Sequence, residues 1–565
     1  MRVLVTLLLV SAIRAQDSAP QATKRDGATT APTSAALAQA GLQAFHRGAF
    51  TTAAYFLSQA VALEPKHKWA WNDLCMSYFE LDKLDAAVNA CLAQIDANPE
   101  SPTAYNNLGR AYWRKEQRDE AIAAFREQIE VNPQDRFAHG NLGNLYCELQ
   151  RYSEAVPELE KAVAIDPANA SHQAGLGDAY LGTGKAEKGL EVLNKLVQDK
   201  PSPATWNNVA YKLASHNVQL EKAQQYAESA VTTEEIALRN AEVDHITAAT
   251  LRRVVSLAHA WDTLGWVHFR RGNPDEAGKF LEAAWRLSQC GPCEDHAGQL
   301  DESLGRKQEA IQAYARALAA HGAPPQTRAR LAALVDAEKI EPLVQRAGDE
   351  LVAMRTINAG RLPAEKATAE FYVAQMPAPG SAEAQFIRGD DKLSQFAKVV
   401  GAAVPGVFPD STPTKLIRRV TLTCPGGGGE CVLELLPAPA AVTAELNSIR
   451  PDTNVPSEPS REARPGVYRS GDGITPPSVL YKVEPHYSDQ ASKAGLEGTV
   501  VLYMEVGPSG QASNIRVVRG LGLGLDEKAM EAVSQWQFQP GMKDGQPVTV
   551  TVTIEVNFRL MKNRR

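Results

Sequence analysis

The sequence predicts a multidomain chain: an all-α superhelix of repeated helix pairs, followed by small α+β domains of strand-strand-helix-strand order. Three observations carry this. Prolines recur every 34 residues at Pro65, Pro99, Pro133, Pro167 and Pro201. Between them, apolar residues fall at i, i+3, i+4 and i+7 in two runs separated by a polar or glycine break, which describes an antiparallel helix pair. Beyond residue 340 the period changes to two, ending in a long alternating run at 548–560.

The repeats come first. The second carries Trp71, Leu74, Tyr78, Ala87 and Pro99, and the third Tyr105, Leu108, Gly109, Tyr112, Ala121, Phe125 and Pro133. The fourth carries Leu142, Gly143, Tyr146, Ala155, Leu159, Ala162 and Pro167. Small residues (Gly109, Ala121, Gly143, Ala155) stand where two helices must approach closely. An ordinary helical bundle has no reason to keep a 34-residue period. In period and pattern the array resembles the tetratricopeptide repeat, which implies a curved superhelix with an extended concave binding face. Repeats one to five occupy 34–201. A sixth opens at Trp206, and the step to Trp261 is 55 residues, so about 21 are inserted, read as extra helix. The seventh uses Trp261, Leu264, Gly265, Ala277, Leu281 and Ala284; the eighth uses Gly298, Ala310, Tyr314 and Ala317. The array is expected to span 34–320.

In the repeat family the sixth position of each first helix points into the groove. Here it is Asn107, Asn141 and Asn208, with Asp73 in another repeat. A primary amide both donates and accepts, so these three residues suit the backbone of an extended peptide, whatever its side chains. A solvated amide at a position where Asn-Leu is common fits equally, and the sequence leaves both open.

Composition bounds the partners. Lys plus Arg is 59 against 66 acids, a net of −7, which offers no basic surface for nucleic acid. No run approaches the roughly 20 apolar residues of a membrane-spanning helix. Met1-Arg2 precedes the apolar run 3–13, and Ala15 offers a small residue for cleavage, so 1–15 reads as a secretory signal. Gln16 rather than Cys follows it, which argues against a lipid anchor. Residues 16–33, rich in Ala, Thr, Ser and Pro, read as a disordered lead-in. An exported protein is the expectation.

After a closing helix at 341–359, the region to 436 reads strand, strand, helix, strand, then a hairpin from Cys424 to Cys431 around four glycines. Prolines 437, 439, 451, 456, 459 and 465 make 437–466 a linker. The last segment, 467–565, has strands at 498–506, 512–519 and 548–560 and a helix at 526–536. In its final strand Val548, Val550 and Val552 face one way while Thr549, Thr551 and Thr553 face the other, giving one buried and one wet face.

Pro485-x-Tyr487, Gly498-x-Val500, Gly510, Leu525-Asp526-x-x-Ala529, Trp536-x-Phe538-x-Pro540 and Gly545-x-Pro547-Val548 make this segment resemble the C-terminal domain of the TonB family of energy transducers. The resemblance covers 467–560. It implies docking on outer-membrane TonB-dependent transporters, whose short box peptide adds as a strand to the domain's edge, here expected at 548–553. Ser488 stands where the family usually has Pro. Family transducers also carry an N-terminal membrane helix that engages inner-membrane motor proteins, whereas this chain has only the signal-like run. Sliding the sequence by 130 residues sets Phe371 on Val501, Gly380 on Gly510, Ile387 on Val517 and Phe408 on Phe538, so the middle region reads as a degenerate copy of the same fold. A chance likeness between two small two-layer units fits nearly as well.

No catalytic, metal or cofactor motif stands out. Cys290-Gly-Pro-Cys293 has the spacing of a redox pair, but that chemistry needs a preceding strand and a helix N-terminus. Lying between two helix pairs, it reads as a connecting loop. Cys424 and Cys431 flank a hairpin tip and suit a disulfide. Cys75 and Cys91 face each other within repeat two, where a disulfide is open to them, but small buried hydrophobes are the preferred reading. The expected function is that of an exported, periplasmic, non-enzymatic adaptor with a protein or peptide in its groove and a transporter on its C-terminal domain. The alternative is a true transducer, anchored in the inner membrane by an uncleaved N-terminal segment and supporting energy-coupled transport. A thiol oxidoreductase acting through Cys290 and Cys293 is the third reading.

Overall fold

The computed structural model describes residues 32–377, 382–409, 414–448, 467–469, 474–483, 485–487, 498–519, 525–543 and 545–558. The expected signal (1–15) and nearly all of the lead-in (16–33) lie outside these residues. Among the described residues no helix is long and apolar enough to cross a membrane. The chain divides into two compact units, 1–453 and 454–565.

The first unit opens with sixteen helices from Ser34–His46 to Lys307–Ala319, paired as expected. Each periodic proline follows the C-cap of a second helix, where its missing N–H ends the run. The turn inside each pair is left-handed at Gly48, Asp82, Glu116, Gln150 and Gly184, again every 34 residues. The close approach is equally periodic. A Cβ on Gly41, Gly109, Gly143 or Gly177 would lie within 2.5–2.6 Å of Leu57, Phe125, Leu159 or Leu193 on the paired helix. In repeat two those positions are Cys75 and Cys91, which form a disulfide across a Cα separation of 5.3 Å. The expectation of two unbridged hydrophobes is therefore corrected: the position that brings the helices closest also brings the sulfurs together.

The inserted residues lengthen two helices, Leu220–Arg239 and Ala248–Arg270, to 20 and 23 residues, joined through a 3-10 turn at Val243–His245. Helices Thr327–Leu334 and Ala337–Arg355 follow the array. The first was not anticipated, and the second starts and ends four residues before the expected closing helix. The array closes back on itself. Gly322 N donates to Glu116 Oε1 at 2.7 Å, Arg118 Nη2 to Ala323 O at 3.3 Å, and Gln326 Nε2 to Glu148 O at 3.3 Å.

The middle region is a five-stranded antiparallel sheet of β1 (Thr356–Gly360), β2 (Ala367–Gln375), β3 (Glu383–Gly389), β4 (Leu416–Cys424) and β5 (Cys431–Leu435), in the order β1-β5-β4-β2-β3. Cys424 and Cys431 form a disulfide at a Cα separation of 4.3 Å. Two expectations change here. The region is not a separate domain: Tyr372, Ala374, Leu416 and Ile417 share a core with Leu251, Val254 and Leu287 of the helical array. The expected linker begins with a helix, Ala438–Ser448, whose Ala438 and Ala441 join that same core. Pro439 falls in its first turn, where a missing N–H costs nothing. The lengthened helices thus supply the seat for the sheet, and Lys415 Nζ reaches Ala241 O at 2.7 Å.

The second unit contains β6 (Val467–Arg469), β7 (Ile474–Thr475), β8 (Ser478–Tyr481), β9 (Gly498–Val506), β10 (Ala512–Arg519), a helix (Leu525–Ser534), β11 (Gln537–Gln539), β12 (Gly541–Lys543) and β13 (Gln546–Phe558). Its main sheet runs β10-β9-β13-β12-β7, with β6 also on β13. Leu525, Ala529 and Val533 on the helix pack on Val500, Leu502, Met504, Val556 and Phe558. The middle sheet repeats this plan, since β3-β2-β4 and β10-β9-β13 are both a hairpin, a helix and a third strand beside the first. The register differs by one residue from the expected 130. Buried Ala369, Phe371 and Val373 correspond to buried Val500, Leu502 and Met504.

Candidate functional site

Strand β13 is held on one side by β9, antiparallel from Val550↔Val506 to Phe558↔Gly498. On its other side β12 pairs Gln546, Pro547 and Val548, and β6 pairs Thr549↔Val467, Val550↔Tyr468 and Thr551↔Arg469 in parallel. The Lys543 ammonium lies 4.4 Å from the Tyr468 ring centroid. The expected docking residues Val548, Thr549, Val550 and Thr551 are thus already paired with the chain's own segments. Among the described residues no strand pairs the outer edge from Val552 and Thr553 onward.

The motif residues hold this strand in place. Tyr487 packs edge-on against Phe558, ring centroids 5.5 Å apart. Trp536 Nε1 donates to Val483 O at 2.8 Å, closing the helix end onto the chain that precedes β9. Gly510 turns with φ +75°.

In the array, Asn107 Nδ2 donates to Asn72 Oδ1 and Asn141 Nδ2 donates to Asn106 Oδ1, both at 2.9 Å. These amides bridge first helices of neighbouring repeats, with Asn107 only 7% exposed. Asn208 is exposed. The partners Asn72 and Asn106 were missed, although each lies 35 residues before a residue that was singled out, one more than the repeat period.

A second polar centre was not legible in the sequence. Arg419 is fully buried, donating to Glu370 Oε2 through Nε at 2.9 Å and to Glu445 Oε2 through Nη1 at 2.8 Å. Tyr372 also donates to Glu445. Helix Ala438–Ser448 is thereby tied to the sheet, and Asn447 Nδ2 reaches Leu81 O of repeat two at 3.2 Å. Burial lowers the pKa of neighbouring Arg418 to about 10.

The chain carries tetratricopeptide repeats and a TonB C-terminal domain. The model of the Gram-negative bacterial TonB protein C-terminal region matches residues 483–560, and tetratricopeptide-repeat models match 44–108, 102–135 and 143–184. Protein TonB of Vibrio cholerae is 35% identical over 86 residues, 15% of this chain and 35% of that one. Protein TonB of Klebsiella pneumoniae is 28% identical over 122 residues, 21% and 48% of the two chains. The chain therefore spans between a third and a half of these relatives' length. Among solved structures, MamA protein is 21% identical, covering 29% of this chain and 90% of that one at a TM-score of 0.27. A tetratricopeptide-repeat protein of Parabacteroides merdae is 13% identical, covering 56% and 98% at a TM-score of 0.32.

Proposed function

We propose that the protein is an exported, periplasmic, non-enzymatic adaptor. Its C-terminal unit docks by strand addition on outer-membrane TonB-dependent transporters, and its repeat array holds a protein or peptide partner. The observation that carries this reading is the outer edge of β13, a strand of 13 residues whose pairing on that side stops, among the described residues, at Thr551. Strand addition draws affinity from main-chain hydrogen bonds and selectivity from alternate side chains. An incoming strand would use the edge from Val552 onward and extend over Thr549–Thr551 by displacing β6.

In the array, Asn107, Asn141 and Asn208 are the amides we assign to partner binding. Two of them also hold neighbouring repeats together, so the groove they line is stiffened by the same residues. The TonB likeness favours a role in transport. The alternative, a transducer anchored by an uncleaved N-terminal segment, turns on the apolar run 3–13.

Titrating the full-length protein with a transporter box peptide tests the docking reading. Binding is expected to vanish with proline at those of Thr549, Thr551 and Thr553 whose N–H points outward. Wild-type affinity in every folded proline variant would overturn it. Mass spectrometry of the mature N-terminus separates the two modes: a chain starting at Gln16 excludes the anchored transducer, and an intact Met1 in the inner membrane excludes the soluble adaptor.

A further inference from the structure

Three disulfides are present among the described residues, and they are not alike. Cys75 and Cys91 are both 0% exposed, and Cys424 and Cys431 are both 1% exposed. In the third, Cys293 is 0% exposed while Cys290 is partly open to solvent. The third bridge also closes the shortest loop, with a sequence separation of 3 against 16 and 7. A short loop restricts the unfolded chain least, so this bridge is the one least explained by stability.

Its setting differs from the expected connecting loop. Cys290 is the N-cap of the 13-residue helix Gly291–Ser303, and its Sγ accepts from Cys293 N at 3.3 Å. Gly291 N is spent on His321 O at 2.9 Å, and Pro292 has no N–H, so the Cys293 amide is the first-turn donor aimed at the sulfur. Gly291 is required there because a Cβ would lie 2.6 Å from Ala323 N. Cys290 also forms a parallel bridge with His321, which fixes the approach to the helix. On the buried side the Ser288 hydroxyl lies 3.7 Å from Cys293 Sγ.

We propose that Cys290–Cys293 is a thiol–disulfide exchange site for a dithiol on another exported protein. The partner's thiol loses its proton to water, and the resulting thiolate attacks the accessible Cys290 Sγ. The Cys290–Cys293 bond breaks as the mixed disulfide forms, and the Cys293 thiolate leaves and takes a proton from water. The partner's second thiolate then attacks the partner sulfur of the mixed disulfide and expels the Cys290 thiolate. The Cys293 N–H and the helix N-terminus stabilise that thiolate. Two electrons pass to the pair, and the partner gains a disulfide. One of the partner's two protons is balanced by the proton Cys293 takes up, and the other stays in solvent while Cys290 remains a thiolate. Stabilising the reduced thiolate makes such a bridge easier to reduce than a sealed structural one.

The test begins with the unmodified full-length protein, equilibrated in glutathione buffers, alkylated and read by peptide mass spectrometry. Cys290–Cys293 is expected to open at a ratio of reduced to oxidised glutathione at least ~10-fold lower than the other two bridges need. Opening of all three together, or of this bridge last, overturns the proposal. In Cys293→Ser, oxidised glutathione should cap Cys290 faster than it caps an unstructured peptide thiol at neutral pH. In Cys290→Ser, Cys293 should stay unmodified while circular dichroism remains native. Capping of Cys290 no faster than the peptide thiol would also overturn it.

Discussion

Val467 stands opposite Thr549 in a parallel pair, so the chain itself occupies part of the edge at which a partner strand would add. Replacing Val467, Tyr468 and Arg469 with Gly-Ser-Gly should free that edge. Two to three backbone hydrogen bonds at about 1 kcal/mol net each set the scale, so peptide affinity should rise by at least ~10-fold. Isothermal titration with a box peptide measures it. Unchanged affinity would mean that the partner strand pairs beyond Thr551 without displacing β6.

The Asn107–Asn72 and Asn141–Asn106 bonds make a stability prediction separate from binding. Asn141→Ala should cost about 1–2 kcal/mol, because the Asn106 amide oxygen loses its donor. Asn107→Ala should cost less, because Asn72 Oδ1 keeps the Thr103 hydroxyl at 3.1 Å. Asn208→Ala should leave melting nearly unchanged. Partner recovery in a pull-down with Asn208→Ala then reports on the groove without a folding defect.

Arg419 carries a different risk, since removing it takes away the buried guanidinium that Glu370 and Glu445 share, leaving Glu370 with Arg388. Arg419→Ala should destabilise the first unit by about 3–5 kcal/mol, the usual cost of breaking a buried pair. Denaturant titration checks it. Arg419→Met together with Glu370→Gln and Glu445→Gln should recover part of the loss.

The same centre sets an acid limit. Burial alone would raise the Glu370 carboxyl, but hydrogen bonds from Arg419 and Arg388 outweigh it and hold it below the usual carboxylate range. A carboxylate depressed on folding stabilises the fold above its unfolded pKa and stops doing so as pH falls through the folded value. Stability should therefore fall below pH ~4.3. In Glu370→Gln that part of the pH dependence should be absent from denaturation midpoints measured between pH 7 and pH 3.

Gly510 offers a check on the C-terminal unit. Its φ is +75°, its carbonyl accepts from Phe538 N at 2.9 Å, and a Cβ would lie 2.0 Å from Phe538 O. Gly510→Ala should cost the unit more than ~1 kcal/mol, the strain of a left-handed alanine with a backbone clash added. Loss of peptide binding together with loss of its unfolding transition is the expected result.

The repeats and the C-terminal domain were legible because their signals are local. A 34-residue period records where each helix pair ends, turns and approaches its partner, and alternation along 548–560 records one buried face. The Cys75–Cys91 bridge was latent in the same period, since those positions hold the Gly-to-Leu or Gly-to-Phe contact in other repeats. What the tertiary structure alone decided is non-local. Helix Ala438–Ser448 lay hidden in a proline-rich stretch because its stability comes from packing on Leu251 and Val254, almost 200 residues earlier. The closing contact of Gly322 with Glu116, the burial of Arg419 between two carboxylates and the pairing of Val467 with Thr549 each join residues that no periodicity relates. Cys290 shows the same division: its spacing from Cys293 is written in the chain, but its exposure and its place at a helix start arise only when the eighth repeat packs.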